Sequence, residues 1–295
     1  LASIQNTKQV ISVSRRTDIL AFYSTWLQKI LKEKIVETKN PFNNKTKIVL
    51  LNPDNVLGFV FWSRYPKALL SLSNYIDQTY GRNHYINFTI TDYPYELEPR
   101  KPDLSKVLYL VNFLFDKYGE KYIHWRFDPI IISNYSPKEF IIEKFSSLCK
   151  LLEGKTRRCI TSFVDIYTKV ARKFSRNSGL KVIEVDLGEK AQIVDTLKQI
   201  AQAHNIDLCL CCESELGKHL NIPPASCVNP YLFELQYVQK FNISPTREGC
   251  TCYKSIDIGF YNSCLFDCLY CYSNVSYKSS LKKYLKLVKN KFTQF

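Results

Sequence analysis

Six short apolar runs recur along the chain, at residues 10–13, 58–62, 85–90, 123–127, 159–163 and 206–211, each with the length and β-branched or aromatic content of a strand. Between them the apolar positions change to helical spacing. Phe22, Trp26 and Ile30 share one face, as do Val107, Leu108, Val111, Leu114 and Phe115 within residues 104–118, and Val194, Leu197 and Ile200 within residues 189–203. Asp18 and Asp103 stand where helix caps are expected, and Ser136-Pro137-Lys138-Glu139 reads as a capping box with proline at the first helical position. Strands alternating with helices predict an α/β fold with a parallel sheet.

Six β/α units fit a partial barrel or an open doubly wound sheet. Polar residues follow nearly every predicted strand: Ser14, Arg15, Arg16 and Asp18; Ser63 and Arg64; Thr89, Thr91 and Asp92; Arg126 and Asp128; Ser162 and Asp165. A barrel aims all its strand ends at one mouth, whereas an open sheet uses mainly its switch point, so the pattern favours a (β/α)6 partial TIM-like barrel over residues 1–222. Beyond it the rhythm loosens into an appended C-terminal cysteine-rich metal-binding segment, 223–275. A basic amphipathic helix over 276–295 closes the chain.

Composition adds a redox argument. Nine of the 11 cysteines lie between Cys209 and Cys271, in a chain without an export signal or a run of about eighteen uncharged apolar residues. That predicts a cytoplasmic protein whose thiols are free for metals. The formal net charge of +14 admits a nucleic-acid partner. Part of it lies in the tail, where residues 278–291 carry six lysines, with Tyr277, Leu281, Tyr284, Leu285, Val288 and Phe292 along one side. That stripe can pack on the body or meet a nucleic acid or an anionic membrane surface. The four histidines share no metal-ligand spacing, and neither a G-x-S-x-G nor a phosphate-loop motif is present.

The chemistry concentrates in Cys264-Leu-Phe-Asp-Cys268-Leu-Tyr-Cys271, a C-x3-C-x2-C triplet with Tyr270 before its last cysteine. Three thiolates on one short loop can hold three irons of a [4Fe–4S] cube and leave the fourth open. Cys212, Cys227, Cys250 and Cys252 form a possible second site, enough for a further [4Fe–4S] cluster or for zinc. Strand alternation puts Cys209 and Cys211 opposite Cys212, as core thiols like Cys149 and Cys159.

The triplet resembles the radical S-adenosylmethionine signature, and the whole chain resembles the uncharacterised domain-of-unknown-function family 1848. The matching runs are Ile11-Ser12-Val13-Ser14-Arg15-Arg16-Thr17-Asp18-Ile19, Asn40-Pro41-Phe42-Asn43, Phe61-Trp62, Trp125-Arg126-Phe127-Asp128-Pro129-Ile130, Ser162-Phe163-Val164-Asp165, and Asp257-Ile258-Gly259 leading into the triplet and Tyr272. The resemblance implies a C-terminal iron–sulfur cluster on Cys264, Cys268 and Cys271, with Tyr270 beside the bound cofactor S-adenosylmethionine. It also implies an electron donor such as a ferredoxin or flavodoxin, and an unknown substrate. Three features depart from the pattern. The triplet follows the last strand instead of the first, no glycine-rich run follows the second strand, and Ser63-Arg64-Tyr65-Pro66 stands where the family is expected to carry a lysine and an asparagine.

Arg15, Arg16 and Arg126 at strand ends could bind a cofactor or substrate carboxylate, with Asp18, Asp128 and Asp165 pairing with them or moving protons. The same residues could equally form an ion-pair network at the mouth. A radical enzyme and a non-enzymatic nucleic-acid module stapled by zinc or iron–sulfur therefore both remain open at the level of sequence.

Overall fold

The computed structural model describes residues 8–39, 43, 45–177, 179–233 and 240–289. The Asn40-Pro41-Phe42 motif, Phe292 and the end of the basic tail lie outside the described residues. In chain order the elements are β1 (Gln9–Val13), α1 (Ile19–Phe22), α2 (Ser24–Glu33), β2 (Ile35–Lys39), β3 (Thr46–Leu50), β4 (Val56–Ser63), α3 (Leu69–Tyr80), β5 (His84–Thr89), α4 (Leu104–Tyr118) and β6 (Ile123–Arg126). They continue with α5 (Lys138–Leu152), β7 (Arg158–Thr161), α6 (Thr168–Arg176), α7 (Leu187–Ala203), β8 (Asp207–Leu210), α8 (Ser214–Leu220), β9 (Ile256–Asp257) and α9 (Tyr277–Lys289). All six predicted strands form, within three residues at each end. They read clearly because a parallel sheet covered on both faces demands near-continuous apolar runs; β5, for example, is buried at every residue but its last.

Among the described residues these strands make a seven-stranded parallel sheet in the order β8-β7-β6-β5-β4-β1-β9, with β2 and β3 as a separate antiparallel pair. From β1 to β8 each strand lies beside its successor in the sheet, with no reversal of order. Only β9, the last strand in the chain, departs from this order by returning to the far side of β1. The two edges, β8 and β9, do not pair with each other, and the sheet is not a closed barrel. The cysteine-rich segment runs between these edges. Leu210 on β8 bonds to the backbone of Pro223 and Ala225, while Ile258, just past β9, donates to Ser12 on β1.

Helices cover one face of the sheet. The Trp125 ring stacks on Phe145 of α5 at 5.0 Å, His84 meets Tyr118 of α4 at 5.2 Å, and Phe59 meets Tyr80 of α3 at 4.9 Å. Residues 222–233 cover the other. Tyr85 Oη and Asn87 Nδ2 donate to the Cys227 carbonyl at 2.9 and 3.0 Å, and Arg158 donates to the Ala225 carbonyl. Gly58 is required here, because a Cβ on it would lie 2.7 Å from the Phe233 ring and 2.2 Å from the Asn83 carbonyl. The segment read as an appendage thus supplies the sheet with a strand and fills its second face.

The helix caps divide. Asp18 accepts from the Ala21 amide at 3.0 Å, as expected, and Asp186 forms a capping box with Glu189. The Ser136 box does not form, because Ser136 is buried and donates instead to the Ile131 carbonyl at 2.6 Å. Helix α9 packs on the body through the buried Ser280 and through Tyr284, whose ring meets Tyr23 at 5.5 Å, while Leu285 of the predicted stripe is exposed. Among the described residues no helix is long and apolar enough to cross a membrane.

Candidate metal centres

Both thiol groups sit beyond the C-terminal ends of strands. The triplet loop is launched by β9, whose Asp257 is a clamp. Its carboxylate accepts from Ser12 Oγ (2.9 Å), Ser14 Oγ (2.7 Å), the Arg15 amide (2.8 Å) and the Gly259 amide (3.0 Å), and it lies 3.7 Å from Nε of both Arg15 and Arg16. Gly259 must be glycine, since a Cβ there would fall 1.8 Å from Ser14 Oγ. The Asp257-Ile258-Gly259 run is therefore an anchor between β9 and the end of β1.

Past this anchor the loop is closed at its base. Asn274 Nδ2 donates to the Cys264 carbonyl at 2.7 Å, the Ser263 amide to Asn274 Oδ1 at 3.2 Å, and the Val275 amide to Asn262 Oδ1 at 2.8 Å. Its flanks are pinned from several elements. Tyr23 Oη donates to the Ser263 carbonyl at 2.8 Å, the Phe266 ring meets Phe22 at 4.6 Å, and Tyr272 Oη donates to the Arg15 carbonyl at 2.9 Å. From α6, Lys173 Nζ donates to the carbonyls of Cys271 (2.9 Å) and Cys268 (3.3 Å). The three thiols lie within one another's electrostatic field. Burial raises the Cys264 thiol well above its ordinary range and pushes Cys268 up to about 12, against the opposing pull of Arg64 and Lys173.

Tyr270, expected beside a cofactor, has its hydroxyl engaged by Arg64 Nη2 at 2.5 Å and by Glu98. Glu98 also accepts from Arg64 at 2.5 Å and from Thr91 Oγ1 at 2.6 Å. Asp18 caps α1 and takes Ser63 Oγ (2.7 Å) and the Arg64 amide (2.6 Å). Burial raises its carboxyl above the usual range. It joins the ends of β1 and β4, and its charge acts on Cys264 of the triplet.

Arg126, Asp128 and Asp165 belong to the other thiol group. Arg126 Nη1 donates to Cys227 Sγ at 2.9 Å, its guanidinium lies 5.1 Å from the centre of the Trp62 ring, and it pairs with Asp128, which also accepts from Ser162 Oγ at 2.5 Å. Asp165 is half exposed and pairs with Arg247, which reaches Cys211 Sγ at 3.7 Å.

The second thiol group has a member that strand alternation assigned to the core. Cys211 Sγ stands 3.8 Å from both Cys212 Sγ and Cys227 Sγ. Cys212 in turn interacts with Cys250, Cys250 with Cys252, and Cys252 with Cys227, so the five thiols belong to one group. Alternation fails because Cys212 leaves the strand with φ +64°, a left-handed conformation that turns two successive thiols to one side. Cys209 stays apart, taking Arg158 Nε at 3.3 Å. Among the described residues no group of three or more His, Cys, Asp or Glu side chains is placed to hold a metal ion. Cys211, Asp257, Glu98, Lys173 and Arg247 are the site residues that sequence reasoning did not assign. Only Asp257 carried a signal, as part of a matched run.

The family profile of the domain of unknown function DUF1848 matches residues 10–273. The chain belongs to this family. No curated protein matches. Among solved structures, "1.8 A Crystal structure of IOLI protein with a binding zinc atom" is similar at 12% sequence identity and a TM-score of 0.33, over 52% of this chain and 54% of that one. The chain thus spans about half the length of that protein, and the likeness is too partial to carry a property across. In this DUF1848 member the matched runs divide between the two thiol groups: Ser12, Ser14 and Arg15 hold Asp257 at the base of the triplet loop, Asp18 takes the Arg64 amide, and Arg126 and Asp165 belong to the second group.

Proposed function

We propose that this DUF1848 protein holds a [4Fe–4S] cluster on Cys264, Cys268 and Cys271 and is a radical S-adenosylmethionine-like enzyme, built on a (β/α)6 partial barrel whose mouth the cluster loop covers. The observation that carries the reading is the triplet loop itself. It is closed by its own hydrogen bonds, pinned at Tyr23, Arg15, Leu97 and Lys173, and brings three thiols together over the ends of β1 and β4. The donor set fits the group, since three thiolates on one loop leave one iron without a protein ligand. Such a cluster supplies a low-potential electron and a seat for the amino and carboxylate groups of S-adenosylmethionine.

The protein's own residues would do three things. Lys173 and Arg64 place positive charge beside the Cys268 thiolate, which burial alone would keep protonated. Arg15 and Arg16 share the single carboxylate of Asp257, leaving one surplus positive charge, and their side chains are 21% and 19% exposed, which suits a carboxylate-bearing ligand at the end of β1. Tyr270, through Glu98 and Arg64, fixes the loop and serves as a positioning residue.

Electron paramagnetic resonance of the anaerobically reconstituted, dithionite-reduced protein tests this, with and without S-adenosylmethionine. A [4Fe–4S] signal that changes on adding the cofactor, and that Cys268→Ala abolishes while the sheet stays folded, is the expected result. A signal indifferent to the cofactor would overturn the enzyme reading. Zinc as the sole metal, together with steeply salt-dependent nucleic-acid binding, would replace it with a metal-stapled binding module.

A further inference from the structure

The group of five thiols invites a question separate from the triplet: what ion its geometry suits, and what that ion would do. A tetrahedral zinc centre with Zn–S bonds of about 2.3 Å separates its sulfurs by about 3.8 Å along each edge. The Cys211 and Cys227 sulfurs stand 3.8 Å apart, one such edge, while Cys211 and Cys212, also 3.8 Å apart, are alternative occupants of a single corner. A cube, by contrast, seats each thiolate on a different iron and spreads the sulfurs further.

The surroundings are built for negative sulfur. Arg126 Nη1 donates to Cys227 Sγ at 2.9 Å, and Arg247 Nη2 lies 3.7 Å from Cys211 Sγ. The Val228 amide donates to Cys252 Sγ at 3.4 Å, and Thr246 Oγ1 lies 3.6 Å from Cys250 Sγ. Four thiolates around a divalent ion carry two net negative charges, and the two guanidiniums, each also paired with a carboxylate, Asp128 or Asp165, direct N–H groups at the sulfurs; amide and hydroxyl donors to sulfur are the outer partners that orient such ligands.

The backbone is also committed to the contact. Besides the left-handed Cys212, Gly249 has φ +68°, and a Cβ on it would lie 3.2–3.3 Å from the carbonyl and Cα of Cys212. The turn that carries Cys250 and Cys252 is thus pressed directly onto the end of β8.

From this geometry we propose that Cys227, Cys250, Cys252 and one thiolate of the Cys211–Cys212 pair bind a single tetrahedral zinc-class ion, as a structural staple distinct from the cluster site. Its place in the fold explains its use. Cys211 and Cys212 follow the edge strand β8, whereas residues 250–252 lead into β9, which pairs with β1 at the opposite edge. The ion ties together the two ends of the segment that fills the sheet's second face, and so sets the path by which β9 delivers the triplet loop.

The test is zinc and iron analysis of the full-length protein, purified anaerobically, as wild type and as two variants. The expected result is about one zinc per chain besides the cluster iron. Cys250→Ser/Cys252→Ser should lose the zinc and keep iron, whereas Cys268→Ala should lose iron and keep the zinc. Loss of iron and not zinc in the double variant would overturn the proposal, as would four of the five thiols found paired in two disulfides in the metal-free wild type. Should the double variant fail to fold, titration of wild type with a mercurial and a zinc-sensitive dye decides the matter. Release of about one zinc with tetrathiolate bands in the cobalt-substituted protein supports the staple, and release of none removes it.

Discussion

The Arg64 guanidinium and the Tyr270 hydroxyl stand 2.5 Å apart and share one oxygen of Glu98, whose side chain is wholly buried. This pair joins the loop after β4 to the triplet loop without touching solvent on the carboxylate side. Removing the carboxylate by Glu98→Ala would strand a buried guanidinium and cost about 3–5 kcal/mol of stability. Tyr270→Phe removes two hydrogen bonds, the one accepted from Arg64 and the one donated to Glu98, and costs about 1–3 kcal/mol. Urea unfolding of both variants checks the order, and a Tyr270→Phe protein as stable as wild type would show that the hydroxyl does not clamp the loop.

Asp257 is the single carboxylate between β9 and the Arg15–Arg16 pair. Asp257→Asn keeps the shape but not the charge opposite two guanidiniums, and should cost about 1–3 kcal/mol. Because β9 has only two residues, Ile256 and Asp257, the loss should appear locally. Hydrogen exchange at the Ile258 amide, which bonds to Ser12, should quicken at least tenfold while exchange in β5 and β6 is unchanged. Uniform change across the sheet would count against a local anchor.

Gly249→Ala separates crowding from backbone strain. Gly249 and Gly81 have φ of +68° and +72°, but only Gly249 has a neighbour, the Cys212 backbone, where the new methyl would go. Gly249→Ala carries the positive-φ penalty of about 1–2 kcal/mol, and Gly81→Ala, at ψ −169°, carries at least as much strain in a region essentially reserved for glycine, without the crowding. Gly249→Ala alone should speed zinc release to a chelator, and equal release from the two variants would argue that the turn does not position the thiols.

His124 predicts an acid-sensitive stability. Burial, reinforced by the nearby Arg158, lowers its imidazole to about 3 from 6.5. The unfolded chain therefore binds a proton between these values that the folded chain refuses, so stability rises with pH across that window and falls by up to about 1.4 kcal/mol per unit on acidification below 6.5. His124→Asn should lose that component. Urea midpoints at pH 7 and pH 5 should differ less in the variant than in wild type, and identical differences would remove His124 as the cause.

The elements legible in sequence were those whose patterns one burial environment dictates. Strands such as β5, covered on both faces, announce themselves as apolar runs, and Asp18 capped its helix where the pattern placed it. Ser136 failed as a cap because tertiary packing offered its hydroxyl the Ile131 carbonyl instead. Strand β9 is two residues long and pairs with a partner some 245 positions away, so no local period could reveal it.

By itself the sequence determined the six β/α units, the crowding of cysteines into the last third and the spacing of Cys264, Cys268 and Cys271, since each is a matter of local order along the chain. Tertiary structure alone decided the partners. It joined Cys211 to the second thiol group by turning Cys212 left-handed, brought Arg126 to Cys227 across the sheet, and gave Arg15 and Arg16 to Asp257. The reason is physical: a buried charge or thiol takes whichever complement the fold carries within about 4 Å of it, and for these residues that complement lies many positions away in the chain.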